Sequence, residues 1–236
     1  MKPFKEPKVI IVMGPPGSGK GTQAELLAEK LNIFHLETSK IIETNLKDIK
    51  KNDFLVVEGK KYFLIEERKK RESGELMSPP LINFWIKCKT KELKKEGEGI
   101  IFSGSPRTLY EGERLIPFLK KIYGNKNIKV ILLEVSPEES IWRNSHRKTC
   151  ELMRHPILFT KETVKLTKCP FDGSKLMFRK DDTPEIIKER LKEYGKRTFP
   201  LIKLFKKEGL EVKKVNGEQS VADVFNDILE KVHPVK

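Results

Sequence analysis

The nine residues Gly14-Pro15-Pro16-Gly17-Ser18-Gly19-Lys20-Gly21-Thr22 constrain this chain more than any other stretch. An apolar run, Val9-Ile10-Ile11-Val12-Met13, leads straight into them, and a segment with helical spacing (Ala24, Leu26, Leu27, Leu31) leads out. Strand, glycine-rich turn and helix in that order are the context a phosphate-binding P-loop requires. Glycines let backbone N–H groups crowd around phosphate oxygens where a Cβ would collide. The helix that follows aims its free N–H groups and positive dipole end at the same anion. Lys20 adds a point charge for the outer phosphates. The hydroxyl usually found directly after the lysine is displaced by Gly21, which leaves Thr22 one step further on. A surface turn that is merely rich in glycine has no need of the flanking strand and helix, so the stretch reads as a nucleoside triphosphate site.

The rest of the chain alternates β and α patterns. Its 236 residues are 37% hydrophobic, enough for a substantial core. Phe34-His35-Leu36 is a short extended piece before a helical segment from Thr38. Phe54–Val57 and Tyr62–Ile65, flanking Glu58-Gly59-Lys60-Lys61, read as a hairpin. Ser78-Pro79-Pro80 opens a helix expected to turn Leu81, Phe84, Trp85 and Leu93 inward, with Cys88 in the core. Gly99–Phe102 and Lys129–Val135 read as strands, Leu210–Val215 as another, and Val221–Val232 as a closing amphipathic helix. Ser136-Pro137-Glu138-Glu139 has capping-box spacing with proline at the first helical position, and Asp182-Thr183-Pro184-Glu185 starts a helix the same way. Strands separated by helices imply right-handed crossovers and a parallel sheet covered on both faces. Residues 38–79 and 149–176 break this rhythm and read as insertions over the sheet's carboxyl edge, where such sheets bind ligands.

Composition narrows the setting. No apolar run approaches the ~20 residues a membrane span requires. The first strand begins almost at once, so no signal peptide is expected, and three scattered cysteines do not make a disulfide framework. A cytoplasmic protein without membrane partners follows. The net charge of +14, from 48 Lys+Arg against 34 Asp+Glu, favours polyanionic ligands. Lys87, Lys89, Lys91, Lys94 and Lys95 lie along a helix face without interleaved aromatics, which reads as a solvated face and argues against nucleic acid as a partner. No heptad seam is present, so a monomer is expected.

Three motifs taken together resemble those of nucleoside monophosphate kinases: Gly14 to Gln23, Gly104-Ser105-Pro106-Arg107-Thr108, and Arg179-Lys180-Asp181-Asp182. The resemblance covers nearly the whole chain and is strongest to the long-lid adenylate kinases. It implies an α/β fold with a parallel five-stranded sheet covered by helices. The core would comprise 1–37, 80–148 and 177–236, with a monophosphate-binding insertion over 38–79 and a lid over 149–176. It also implies reversible, Mg²⁺-dependent transfer of the ATP γ-phosphoryl to a nucleoside monophosphate. In such a reaction the charge spreads over equatorial oxygens, so catalysis is positioning within a cage of cations. Lys20, Arg107, Arg143, Arg179 and Arg190 match the family's catalytic positions, with Arg143 and Arg147 four apart on one helix face. Gly14, Gly17, Ser18, Gly19, Lys20, Gly21, Thr22, Arg143 and Gln219 match ATP-binding positions. Thr38, Arg107, Glu111, Arg179 and Arg190 match monophosphate-binding ones.

The departures from the family pattern are as informative. Cys150-x-x-Met153 and Cys169-x-x-Asp172 stand where zinc-bearing lids carry two metal-binding pairs. Cys150, Cys169 and Asp172 leave the fourth ligand open: a thioether is a poor one, and His146 or His155 would supply it by a shift of register. The alternative is an apolar relic in which Met153 and the cysteines pack together. Glu43 replaces an arginine that grips the acceptor phosphate, with Arg68 or Arg71 as compensation or as a solvated charge run. Ser103 replaces an aspartate associated with Mg²⁺. Glu111 replaces a glutamine that reads adenine; an ionised glutamate only accepts hydrogen bonds. The acceptor is thus AMP, or alternatively CMP, UMP or GMP, and a catalytically weak nucleotide sensor stays open.

Overall fold

The computed structural model describes residues 8–73, 77–153, 155–178 and 182–232. Strand β1 (Val9–Met13) is buried at every position. Alternate residues of an extended chain face opposite ways, so Val9, Ile11 and Met13 enter one core while Ile10 and Val12 enter another. A strand apolar on both sides needs helices above and below it.

The chain supplies them in order. After β1 come α1 (Lys20–Leu31), β2 (Phe34–Leu36), α2 (Thr38–Leu46), the strands β3 (Phe54–Val57) and β4 (Lys60–Phe63), then α3 (Leu64–Glu72) and α4 (Pro79–Lys95). β5 (Ile100–Phe102), α5 (Leu109–Tyr123), β6 (Ile128–Glu134) and α6 (Pro137–His146) follow. Next are three short strands, β7 (Lys148–Cys150), β8 (Pro156–Ile157) and β9 (Leu176–Phe178). Helix α7 (Pro184–Glu193) continues through a π-helical stretch, Tyr194–Thr198, towards α8 (Leu201–Lys207), β10 (Val212–Asn216) and α9 (Val221–Val232).

β10-β6-β1-β5-β2 form the parallel sheet, in that order. Leu81 and Trp85 of α4, Leu115 and Leu119 of α5, and Leu201 and Phe205 of α8 share the first core. Ala24 and Leu27 of α1 with Val224 and Ile228 of α9 form the second. The strand order reverses at β1, so a crevice opens beyond its carboxyl end, where a doubly wound sheet holds its ligand. The glycine-rich loop occupies that place. β8-β7-β9 make a separate small antiparallel sheet. Among the described residues no helix is long and apolar enough to cross a membrane.

Several expectations shift. The hairpin is tighter than the sequence predicts: β4 begins at Lys60, only Glu58 and Gly59 turn the corner, and Leu64 already belongs to α3. Phe84 and Cys88 are exposed, because the buried side of α4 is taken by Leu81, Ile82, Trp85, Ile86 and Leu93. Ser136 caps α6 by accepting from the Glu139 amide at 3.3 Å, but the reciprocal half of the capping box is missing. The Ser136 amide instead donates to Glu218, and Glu139 turns to Arg143. Arg147 stands just past the end of α6 in extended backbone, so it does not share a helix face with Arg143.

Candidate active site

The loop is held rigid from below. Gly19 caps α1 in left-handed backbone, φ 85°, and Gly17 has φ 75°. A Cβ at Gly17 would lie 2.3 Å from Asn144 Nδ2 and 3.1 Å from the Ser140 carbonyl, so α6 presses directly on the loop. Ser140 donates to the Pro16 carbonyl at 2.6 Å across that contact. The chain cannot carry a side chain there without pushing the helix away.

A cavity of about 540 Å³ opens over the loop, walled by Gly17–Thr22, Arg143, Arg147, Arg190 and Gln219. Lys20 Nζ donates to the Pro15 carbonyl at 2.7 Å. Burial first, then the charges of Arg107, Arg190 and Arg147, pull the Lys20 ammonium from 10.5 to about 7. Four cations from distant parts of the chain therefore feel one another across a single space. Such crowding is unfavourable until an anion enters, and it marks a site built for one.

Asp182, buried at 7% exposure, fixes two of the four. It takes a two-pronged bond from Arg147, at 2.6 to 3.1 Å, and a longer one from Arg190 at 3.4 Å. Arg147 is the residue the sequence reading left out of the site. The signal for it was its spacing from Arg143, but the extended turn after α6, which aims it at the cavity, is not visible in periodicity. Arg143 donates to Glu139 at 2.6 Å and to the Gly217 carbonyl at 2.8 Å, at the cavity's far end. Gln219 bonds Asp227 with its side chain, leaving its backbone at the cavity wall. Arg179 and Asp181 lie outside the described residues.

The second half of the cleft is built by the turn after β5. Arg107 Nε donates to the Gly104 carbonyl at 2.6 Å, and burial lowers its pKa, with Glu111 opposing that shift and Arg190 adding to it. Thr38 and Ser105 share a hydroxyl–hydroxyl bond of 2.9 Å beside this turn. Thr108 caps α5, and the Glu111 carboxylate accepts from the Arg107 amide at 2.8 Å. Burial raises the Glu111 pKa, and that same amide bond holds the rise in check. Ser103 meets His35 Nε2 at 2.6 Å, and burial lowers the His35 pKa.

Of the two arginines expected to offset Glu43, Arg68 is spent on the carbonyls of Leu46 and Lys47 at the end of α2. Arg71 reaches Glu43 at 3.5 Å.

The small sheet gathers a donor group. Cys150, His155, Cys169 and Asp172 place one ligand atom each within 4.8 Å of one another. His155, not His146, fills the fourth position: His146 instead stacks on Trp142 and Phe159. Met153 is 64% exposed and takes no part, so the packed-relic reading fails for it. The Cys150 and Cys169 sulfurs lie 3.5 and 3.6 Å from His155 Nδ1. A tetrahedral zinc with ordinary Zn–S and Zn–N bonds separates sulfur and nitrogen by about 3.5 Å. The His155 amide donates to the Cys150 sulfur at 3.1 Å. Hydrogen bonds from Ser174 hold the Asp172 carboxyl below its usual range, and burial pushes the Cys169 thiol up.

A sequence profile of the adenylate kinase family matches residues 12–210. The chain belongs to the adenylate kinase family. An adenylate kinase of Clostridium botulinum strain Langeland is 38% identical over 223 residues, covering 93% of this chain and 95% of its own. Adenylate kinases of Methanothrix thermoacetophila and Clostridium kluyveri are 34% and 33% identical, over 93% and 92% of this chain and 95% and 94% of theirs. Membership makes this an enzyme of phosphoryl transfer between nucleotides, and the adenylate kinase fold expected from the three motifs is the fold observed.

Proposed function

We propose that the protein catalyses ATP + AMP = 2 ADP with Mg²⁺. The observation that carries this reading is the placement of Lys20, Arg143, Arg147 and Arg190 around one cavity over the glycine-rich loop, where burial first and neighbouring cations second depress the Lys20 ammonium. The loop amides and Lys20 hold the donor's phosphates, and Arg143 with the Gly217–Gln219 backbone lines the donor's outer end. Arg107 and Thr38 take the acceptor phosphate, while Arg147, Arg190 and Arg179 close on the group in flight. Burial raises the Glu111 pKa, and in its protonated form the carboxyl presents both a donor and an acceptor to the AMP base. Arg71 cancels the repulsion Glu43 would exert on the acceptor.

The hydroxyls of Thr22 and Ser103 and the carboxylates of Glu25 and Glu37 line the cavity. They are the hard oxygen ligands and water acceptors that suit Mg²⁺. Bound with ATP, Mg²⁺ supplies neutralisation of the charge on the phosphate oxygens. Residues 38–79 serve as the acceptor domain and 149–176 as a lid that keeps water from the phosphoryl group. The lid is braced by zinc on Cys150, His155, Cys169 and Asp172. Three free cysteines, two of them in this group, suit a reducing cytoplasm.

A coupled assay with ATP against AMP, CMP, UMP and GMP tests the proposal. Turnover with AMP well above the other three is expected. Faster turnover with another base would reassign the acceptor. ATP binding without transfer to any of the four would make the protein a nucleotide sensor.

A further inference from the structure

The hairpin β3–β4 turns on Glu58-Gly59, both in left-handed backbone with φ of 51° and 77°. Asn-Gly is the pair such a turn prefers, and a glutamate there gains nothing from the backbone. Its side chain leaves the hairpin altogether. Oε2 accepts from the Tyr110 hydroxyl at 2.8 Å and Oε1 from Arg114 Nε at 3.1 Å. The Arg114 guanidinium carbon in turn sits 3.5 Å from the centre of the Tyr110 ring. Three groups thus close a cycle between the hairpin tip and α5. The bond from Tyr110, then that from Arg114, holds the Glu58 carboxyl below its usual range.

What the tip is fastened to matters more than the fastening itself. Tyr110 precedes Glu111 and lies in the first turn of α5, the turn that begins at Arg107 and Thr108. At its base the hairpin runs between α2, which carries Thr38 and Glu43, and α3, which carries Arg71. The Glu58 carboxylate therefore ties the hairpin tip to the wall formed by residues 107–111, while Val57 and Tyr62 anchor the rest of the hairpin in the first core.

We propose that Glu58 is a positioning residue: it latches the hairpin tip onto α5 and holds the acceptor side of the cleft at its working width before a nucleoside monophosphate arrives. Without the latch, part of the acceptor's binding energy goes into assembling its own pocket, and its apparent affinity falls by the fraction of molecules already assembled. The donor site on the opposite side of the cleft does not share that cost. The inference rests on the phosphotransferase reading above for its kinetic readout, and has a second readout that does not.

Glu58→Asn is the informative variant, because Asn-Gly keeps the turn while the shorter side chain loses its reach to Tyr110 and Arg114. The KM for AMP is expected to rise about threefold to fivefold, the scale of removing one exposed ion pair, with the KM for ATP unmoved. Tyr110→Phe should raise the KM for AMP as well, and the double variant should do little more than either alone, since both cut the same link. In the ligand-free protein, amide hydrogen exchange across residues 54–63 should quicken in Glu58→Asn. An unchanged KM for AMP, or equal rises for AMP and ATP, overturns the positioning role. Unchanged exchange in the hairpin overturns the latch even if no monophosphate proves to be a substrate.

Discussion

Replacing Lys20 by methionine keeps the length of the side chain and removes its charge, and the ligand-free protein should gain stability in a pH-dependent way. In the folded state Lys20 titrates near 7, against 10.5 for an ordinary lysine. Between those values the unfolded chain binds the extra proton, so wild-type stability rises with pH from about 7 upward. Below 7 both states are protonated and the full cost of holding a buried ammonium, first its burial and then its cationic neighbours, is felt. At 1.36 kcal/mol per pH unit the cost is about 5 kcal/mol at pH 6 and about 2 kcal/mol at pH 9. Lys20→Met escapes that cost but also loses the bond to the Pro15 carbonyl, which shifts its stability by a constant. The change in the gap is therefore the diagnostic quantity: about 3 kcal/mol, or roughly 6–12 °C in melting temperature for a chain of this size. Scanning calorimetry of both proteins at pH 6 and pH 9, without nucleotide, measures it. With saturating ATP the order should invert, because the triphosphate repays the lysine and not the methionine. A gap that stays constant from pH 6 to pH 9 would refute the crowding of cations around Lys20.

The other predictions concern single groups. Arg107→Ala should lower kcat about a thousandfold, the scale of about 3–4 kcal/mol for one preorganised charged donor, with circular dichroism unchanged; a wild-type rate would exclude it from the cleft chemistry. Elemental analysis should find one zinc per chain, and His155→Ala should abolish it while His146→Ala leaves it in place. Because burial raises the Glu111 pKa, the wild-type KM for AMP should climb as pH rises through the point where that carboxyl ionises. Glu111→Gln should flatten the climb, and a parallel pH profile in the variant would rule out Glu111 as the titrating group.

Local pattern carried the core of this fold. Five strands and the loop were legible because each apolar run is short, bounded and followed by a helical period. The helix starts marked by Pro137 and Pro184 were equally plain, with Ser136 and Thr183 as their caps, although the reciprocal capping-box bond at Ser136 is not made. What stayed hidden depends on chain direction after an element ends. Arg147 reaches the cleft only because the backbone straightens one residue beyond α6, and nothing in the spacing from Arg143 announces that. The fourth metal donor was undecidable for a similar reason: His155 lies outside the Cys-x-x-Cys frame, and only the β7–β8 turn carries it back to Cys150. The lysine face of α4 has no aromatic neighbours in sequence, yet Lys87, Lys89 and Lys94 lie over the rings of Phe118, Phe34 and Tyr123 from other elements.

The π-helical stretch between α7 and α8 has a consequence for inheritance of geometry along a rod. Its widened turn, with the Phe199 amide reaching back five residues to the Tyr194 carbonyl at 2.9 Å, accommodates one residue more than a regular helix would. Each residue advances a helix by about 100°, so that single surplus sets the angle between Arg190 upstream and the buried Leu201 and Phe205 downstream. Thr198, inside the stretch, also donates to the Arg107 carbonyl at 2.8 Å. Deleting Gly195 would let the rod wind evenly, and with its far end anchored in the core, Arg190 would swing off its bearing. Such a molecule would behave as an arginine mutant with every arginine still in its sequence.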